Sequence, residues 1–82
     1  MPPKLPGVSA EEAIRSLKRL GFAQIRQRGS HVTLRHGSKR AKKTSTGDIG
    51  CVVPLHRELA IGTLRSILRQ AAVTPEEFME NL

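Results

Sequence analysis

The sequence contains no tryptophan or tyrosine, only two phenylalanines and a single cysteine, Cys51. One cysteine excludes an internal disulfide and is typical of a protein from a reducing compartment. No apolar run approaches the roughly 20 residues of a membrane-spanning helix, and the opening residues lack the apolar core of a secretion signal. We therefore expect a cytoplasmic protein without a membrane partner. A chain of 82 residues is too short for two cores, so one domain over residues 1–82 is predicted.

The residue patterns of several enzyme classes are also missing. The Cys and His residues do not cluster at metal-ligand spacing, and Asp48 is the only carboxylate near the middle of the chain, which argues against a two-metal nuclease. The glycine-flanked stretch GSKRAKKTSTG does not have the spacing of a phosphate-binding P-loop. Cys51 lies in an apolar run, where an unreactive thiol is expected rather than a nucleophile. No metal and no cofactor are therefore predicted.

Acidic residues are scarce where basic residues are dense. The chain has 14 Lys and Arg against 7 Asp and Glu, a net charge of +7. Residues 13–47 contain no acidic residue and ten basic ones: Arg15, Lys18, Arg19, Arg26, Arg28, Arg35, Lys39, Arg40, Lys42 and Lys43. A distribution of charge that is so strongly basic favours binding to nucleic acid. The alternatives are a basic surface that only keeps the protein soluble and, more weakly, attachment to an anionic membrane.

The first predicted element is a helix over about residues 10–20. Residues 1–8 are rich in proline and are expected to form an irregular arm. Ser9 and Glu12 then form a capping box, and the apolar residues that follow recur at helical spacing.

Two further helices are predicted in the C-terminal part of the chain. Apolar residues recur at helical spacing between Ile61 and Ala71. Thr74, Pro75 and Glu77 then supply a capping residue, a proline for the first helical position and a capping-box glutamate. A short terminal helix is therefore expected.

Residues 22–36 are predicted to form a β-hairpin closed by the two-residue turn Gly29-Ser30. Glycine at the first turn position is typical of a type II′ turn. Counting outward from the turn pairs Arg28 with His31, Gln27 with Val32, Arg26 with Thr33, Ile25 with Leu34, and Gln24 with Arg35. Because strand side chains alternate between faces, one face is expected to be apolar, with Ile25, Val32 and Leu34. The other face is then basic and hydrogen-bonding, formed by Gln24, Arg26, Arg28, His31, Thr33 and Arg35.

A basic loop and a third strand are expected to follow the hairpin. Residues 37–50 are polar, basic and flanked by glycine, which predicts a flexible loop. Residues 51–53 form a short apolar run that Pro54 ends, which predicts a strand. The resulting order predicts an α+β fold, a three-stranded antiparallel sheet with helices on its apolar face. Double-stranded-RNA-binding domains have this order, although a shared fold does not establish function.

A catalytic interpretation depends on His31, which follows the turn on the expected basic face. An imidazole can transfer a proton near neutral pH, and RNA supplies its own nucleophile in the 2′-hydroxyl group. Neighbouring arginines can stabilise the charge that develops on the phosphate without a metal. The pattern alone leaves open a second interpretation, in which His31 only contacts phosphate. His36 is expected on the apolar side or at the strand end, and His56 is compatible with capping, packing or RNA binding.

The order and spacing of three segments resemble the HicA family of toxin ribonucleases: KLPGVSAEEAIRSLKRLGF, RQRGSHVTLRH and VVPLHRELAIGTLRSILRQAAVTPEEF. The resemblance runs from Lys4 to about Leu82. Its most specific elements are Leu20-Gly21-Phe22, Gly29-Ser30-His31, Pro54-x-His56 and Gly62-Thr63-Leu64 followed by Ile67-Leu68. Two features depart from the family pattern. The loop at 37–50 is longer and more basic, and Val32 stands where many relatives carry a second histidine or an aromatic residue.

The resemblance implies a double-stranded-RNA-binding-domain-like fold and a metal-independent endoribonuclease that cleaves mRNA and inhibits translation. It also implies a HicB-type antitoxin as partner, and it makes His31 the catalytic histidine. The leading hypothesis is therefore the toxin of a type II toxin–antitoxin system, and the alternative is a non-catalytic RNA-binding module that uses the same face. The expected RNA-binding residues are Arg26, Arg28, Gly29, Ser30, Arg35, Lys39, Arg40, Lys42 and Lys43.

Overall fold

The computed structural model describes residue 5 and residues 7–36 and 49–82. Six elements follow one another: α1 (Ala10–Arg19), β1 (Ala23–Arg28), β2 (His31–His36), β3 (Ile49–Pro54), α2 (Ile61–Ala71) and α3 (Pro75–Glu80). The α+β fold and the element order expected from the sequence are confirmed. Within the described ranges, no helix is long and apolar enough to cross a membrane.

The ends of the helices follow local chemistry that is visible in the sequence. The Ser9 hydroxyl accepts a hydrogen bond from the Glu12 amide, and the Glu12 carboxylate accepts one from the Ser9 amide. Thr74 and Glu77 form the same reciprocal pair at α3, where Pro75 occupies the first turn. These capping boxes satisfy amides that have no partner inside their own helix.

The β1–β2 hairpin has the expected register next to its turn. Arg28 pairs with His31, Gln27 with Val32, and Arg26 with Thr33. Gly29 has a φ of +57°, while Ser30 has no positive φ. This combination fits the predicted type II′ turn, in which only the first turn residue needs a positive φ.

Farther from the turn, the predicted register is wrong. The pairing moves directly from Arg26–Thr33 to Gln24–Leu34, so Ile25 is the extra residue of a β-bulge. Ile25 is 52% exposed and does not share the buried face with Val32 and Leu34. The bulge also changes the side on which Gln24 lies. Gln24 pairs with buried Leu34 instead of Arg35, and it lines a surface cleft against α1 rather than belonging to the basic face.

The third strand begins earlier than the sequence predicted. Ile49 and Gly50, expected as the end of a loop, pair with His36 and Arg35 as the first residues of β3. Ile49 is only 4% exposed, and burial of its side chain against the core favours the strand over the loop. The remainder of the expected basic loop, residues 37–48, lies outside the described residues.

The helices cover one face of β2 and β3 and leave the other face of the sheet uncovered. Alternate residues of β2 and β3 are buried beneath them: Val32, Leu34, Ile49, Cys51 and Val53. All six residues of β1, an edge strand of the sheet, are exposed. The α1 and α3 helices are joined by Ser16, whose buried hydroxyl donates a 2.7 Å hydrogen bond to the Phe78 carbonyl.

The described part of the expected N-terminal arm is irregular but attached to the core. Leu5 and Val8 are 6% and 3% exposed. The Val8 carbonyl accepts a 2.8 Å hydrogen bond from the Leu59 amide. Apolar burial and this bond together hold residues 5 and 7–9 against the segment that precedes α2.

His36 has the structural role that its position in the strand indicated. It belongs to the helix-covered side of the sheet, where its ring packs edge-on against Phe22 with 5.0 Å between ring centroids. Its Nε2 lies 3.1 Å from the Leu20 carbonyl oxygen. A Cβ atom at Gly21, whose φ is +104°, would lie 2.5 Å from the same Nε2. The Leu20-Gly21-Phe22 segment is therefore shaped around the His36 imidazole.

Candidate active site

The candidate site is the sheet face that the helices do not cover, at the end nearest the hairpin turn. His31 is the first residue of β2 and lies between Arg28 of β1 and Pro54 of β3. Cβ atoms of directly paired strand residues are about 4.5–5.5 Å apart. His31 is exposed, and so is Arg28. An imidazole and a guanidinium can therefore contact the same phosphate group from neighbouring strands.

The other arginines of this face lie at different distances from His31. Arg26 pairs with Thr33, which follows His31 on the same face of β2. Arg26 is therefore a diagonal neighbour of His31, about 7–8 Å away. Arg35 is four residues along β2, about 13 Å away at 3.3 Å per residue. Its guanidinium lies over β3, with Nε 3.9 Å from where a Cβ of Gly50 would be. Arg26 and Arg28 are thus close enough to His31 to contact the same anionic group, whereas Arg35 is too distant to share it.

The turn that precedes His31 is held by hydrogen bonds to both of its carbonyl groups. The Ser30 carbonyl accepts a 2.7 Å bond from the Leu55 amide, and the Gly29 carbonyl accepts a 3.3 Å bond from the Gln27 side-chain amide. Gly29 has open space around its Cα, with nothing within 4 Å of an added Cβ. A ligand can therefore approach the turn backbone closely at Gly29.

The bond from Leu55 brings the segment after β3 to the same end of the sheet. This segment, Leu55–Arg57, is exposed and lines a cleft of about 340 Å³ with the first residues of α1. His56 is fixed by its backbone, because its amide donates to the Pro54 carbonyl at 2.9 Å and its carbonyl accepts from the Ala10 amide at 3.0 Å. The sequence could not place His56, because a hydrogen bond between residues 30 and 55 has no local signal.

The predicted residues fall into two groups in the structure. Those on the open face or its turn come together around His31: Arg26, Arg28, Gly29 and Ser30, with Arg35 farther along β2. The four basic residues expected from the loop, Lys39, Arg40, Lys42 and Lys43, lie outside the described residues. Thr33 and Val52, which pair with each other, complete the middle of the face, and Val52 is 40% exposed.

Cys51 lies on the other side of the sheet and is buried in the core. Burial raises the pKa of its thiol from the usual 9.0 to about 11, because a thiolate is poorly solvated there. A thiol in this environment is a weak nucleophile, as its position in an apolar run indicated. In residues 5, 7–36 and 49–82, no three His, Cys, Asp or Glu side chains are grouped so that they could hold a metal ion.

The fold and this face define a small, basic α+β protein of the double-stranded-RNA-binding-domain-like type, with helices on one side of a three-stranded sheet and cationic side chains on the other. Residues 10–73 match the family model described as the HicA toxin of bacterial toxin–antitoxin systems. The match covers most of the chain, and the protein therefore belongs to the HicA toxin family. The family makes it the toxin member of a toxin–antitoxin system and implies a HicB-type antitoxin as its partner. Comparison with the curated proteins gave no match.

Proposed function

We propose that this protein is a metal-independent endoribonuclease that cleaves mRNA in the cytoplasm and so inhibits translation. The observation that carries the proposal is the position of His31, an exposed imidazole directly paired with Arg28 on a cationic sheet face that the three described helices do not cover. Membership of a toxin family supports an activity that harms the cell that produces the protein. RNA is the polyanion that such a face can both bind and cleave without a metal, because each ribose carries its own nucleophile.

In the proposed reaction, His31 is one of the groups that transfer protons. The ribose 2′-hydroxyl loses its proton and its oxygen forms a bond to phosphorus, while the bond from phosphorus to the 5′ oxygen breaks. The 5′ oxygen takes up a proton, and the products carry a 2′,3′-cyclic phosphate and a 5′-hydroxyl. Arg28 and Arg26 stabilise the charge that develops on the non-bridging phosphate oxygens.

The roles of the other residues follow from their distances. Gly29 allows the RNA backbone to approach the turn, and Ser30 helps to hold that turn through its carbonyl bond to Leu55. Arg35 binds a phosphate farther along the strand. The loop cations contribute the non-specific, salt-dependent part of the affinity. An antitoxin that covers the open face blocks all of these contacts at once.

The chemistry of the RNA ends tests this mechanism. Purified protein is incubated with a 5′-labelled RNA and with the same oligonucleotide made with 2′-deoxyribose at the mapped cleavage position. We expect 2′,3′-cyclic phosphate ends from the RNA and no cleavage at the deoxy position. Products with 3′-hydroxyl ends, or cleavage at the deoxy position, would show that the 2′-hydroxyl is not the nucleophile. Binding without any cleavage would favour the non-catalytic RNA-binding module.

A further inference from the structure

The reaction proposed above needs two proton transfers, and the open face itself offers a single histidine. One group must take the proton of the 2′-hydroxyl and another must protonate the departing 5′ oxygen. The residues of the described sheet that face the same side as His31 are arginine, threonine, valine, alanine, glycine and proline. None of these is a general acid near neutral pH. The second group must therefore come from outside the sheet.

We infer that His56 is this second proton-transfer group and that it protonates the leaving 5′ oxygen. The inference rests on the proposed ribonuclease function and assigns a further catalytic residue to it. The arrangement that supports it is the junction between the hairpin turn and the segment after β3, which brings two exposed histidines to one end of the sheet.

The distance between the two histidines is limited by the pairing of β2 with β3. His31 pairs directly with Pro54, which places their Cα atoms about 4.5–5.5 Å apart. His56 is two residues beyond Pro54, and its amide donates back to the Pro54 carbonyl at 2.9 Å, which is the bond of a γ-turn. Because the turn shortens the path, the Cα atoms of the two histidines lie closer than about 13 Å, the limit for an extended segment. At this spacing, both exposed side chains can reach one phosphodiester group if each imidazole turns towards it.

The backbone around His56 is fixed, while its side chain is exposed. Hydrogen bonds hold the residue on three sides: Leu55 to Ser30, His56 to Pro54, and Ala10 to the His56 carbonyl. None of these bonds uses the imidazole. A rigid backbone that presents a solvent-exposed proton-transfer group is the arrangement expected for a catalytic side chain.

The cleft beside His56 determines which of the two protons it transfers. The cleft of about 340 Å³ has Leu55 as an apolar wall and Glu11 and Arg57 as polar groups. An apolar wall with a few polar groups suits a nucleoside, whereas the sheet face at His31 presents exposed strand side chains. The nucleoside that leaves is accordingly held next to His56, and the ribose that attacks lies over His31. His31 then accepts the 2′-hydroxyl proton, and the His56 imidazolium donates one proton to the 5′ oxygen, so the protons balance.

The test depends on the leaving group: a departing 5′ oxygen needs a proton from a general acid, whereas a departing sulfur does not. An RNA with sulfur in place of the bridging 5′ oxygen at the mapped cleavage site releases a thiolate, which needs no protonation. Cleavage of this RNA and of the ordinary RNA is compared for wild type, His56→Ala, His56→Gln and His31→Ala, with Gln70→Ala on α2 as the control. His56→Ala keeps all three backbone bonds, and circular dichroism verifies that each variant is folded.

We expect both His56 variants to cleave the ordinary RNA about 10²–10⁴-fold more slowly than wild type, the usual contribution of a general acid. The sulfur-containing RNA should restore them to within about tenfold of wild type, because the step that His56 assists is no longer needed. His31→Ala should remain defective on both RNAs, and Gln70→Ala should match wild type on both.

Two results would overturn the assignment. One is wild-type cleavage of the ordinary RNA by His56→Ala, and the other is an equal defect of both His56 variants on the two RNAs, which would mean that His56 only binds. Restoration of His31→Ala instead would exchange the roles and also contradict the inference. If wild type itself cleaves neither RNA, it is the proposed ribonuclease function that fails, and the inference fails with it.

Discussion

Replacing Gly21 by alanine should destabilise the protein through two separable effects. The first is backbone strain, because the φ of +104° is unfavourable for a residue with a Cβ and costs about 1–3 kcal/mol. The second is steric, because the new Cβ would lie 2.5 Å from Nε2 of His36. The imidazole must move away from the Leu20 carbonyl, which costs a further 0.5–1.5 kcal/mol, roughly the net value of one hydrogen bond.

A double-mutant cycle separates these two effects. The free energy of unfolding is measured in urea for wild type, Gly21→Ala, His36→Ala and the double variant. We expect Gly21→Ala to cost about 2–4 kcal/mol in the wild-type chain and less, about 1–3 kcal/mol, when the imidazole is already absent. Disruption of the edge-on packing against Phe22 would add to the difference.

Two glycines serve as matched controls for the cycle. Gly29→Ala meets open space at a φ of +57°, so it should show strain without any coupling to His36. Gly62→Ala also meets open space, in the first turn of α2, and should show neither strain nor coupling to His36. The reasoning would be refuted if Gly21→Ala cost the same with and without the His36 imidazole.

Four further predictions concern the bond between α1 and α3, the buried thiol and the loop. Ser16→Ala should cost about 0.5–1.5 kcal/mol in urea unfolding, because it removes the buried hydrogen bond to the Phe78 carbonyl, which keeps the Asn81 amide as donor; an unchanged free energy of unfolding would count against that bond. Because the Cys51 thiol is buried and its pKa is raised to about 11, alkylation of the native protein at pH 8 should be no faster than the opening that exposes the thiol. Because this pKa is raised from 9.0, its contribution to stability is complete below pH 9 and is lost as pH rises towards 11, so urea midpoints should fall across that interval. Neutralising the loop cations should weaken RNA binding and reduce the slope of log affinity against log salt by about 0.7–0.9 for each phosphate that is no longer neutralised, and an unchanged slope would remove the loop from the interface. The residues to replace are Lys39, Arg40, Lys42 and Lys43.

The parts of the fold that the sequence predicted are those with a local chemical cause. Capping boxes set the starts of α1 and α3, and glycine at the first turn position set the hairpin register as far as Arg26. Because the predicted register is correct near the turn, the sequence alone places His31 opposite Arg28. The burial of Leu34 beneath the helices likewise follows from the alternation of β2.

The parts that failed depend on contacts that are distant in the sequence. Ile25 was expected on the buried face because it is apolar, but all of β1 is exposed in the structure, and a bulge places Ile25 in solvent. The sequence predicted Ile49 and Gly50 as the end of a loop. Their place in β3 depends on pairing with residues of β2 that lie 13 or more positions earlier in the chain. The position of His56 depends on the bond between Leu55 and Ser30, which is also non-local.

The most direct test of the central claim compares wild type with His31→Ala on a long single-stranded RNA. Both proteins are incubated in excess EDTA, with Gln70→Ala as a control for purity, and the products are resolved on a denaturing gel. Because His31 is exposed, its replacement should leave the fold intact, and circular dichroism verifies this. We expect wild type and Gln70→Ala to cleave the RNA and His31→Ala to leave it intact while still binding it. Intact RNA in all three lanes, or equal cleavage in all three, would contradict a metal-independent ribonuclease that depends on His31.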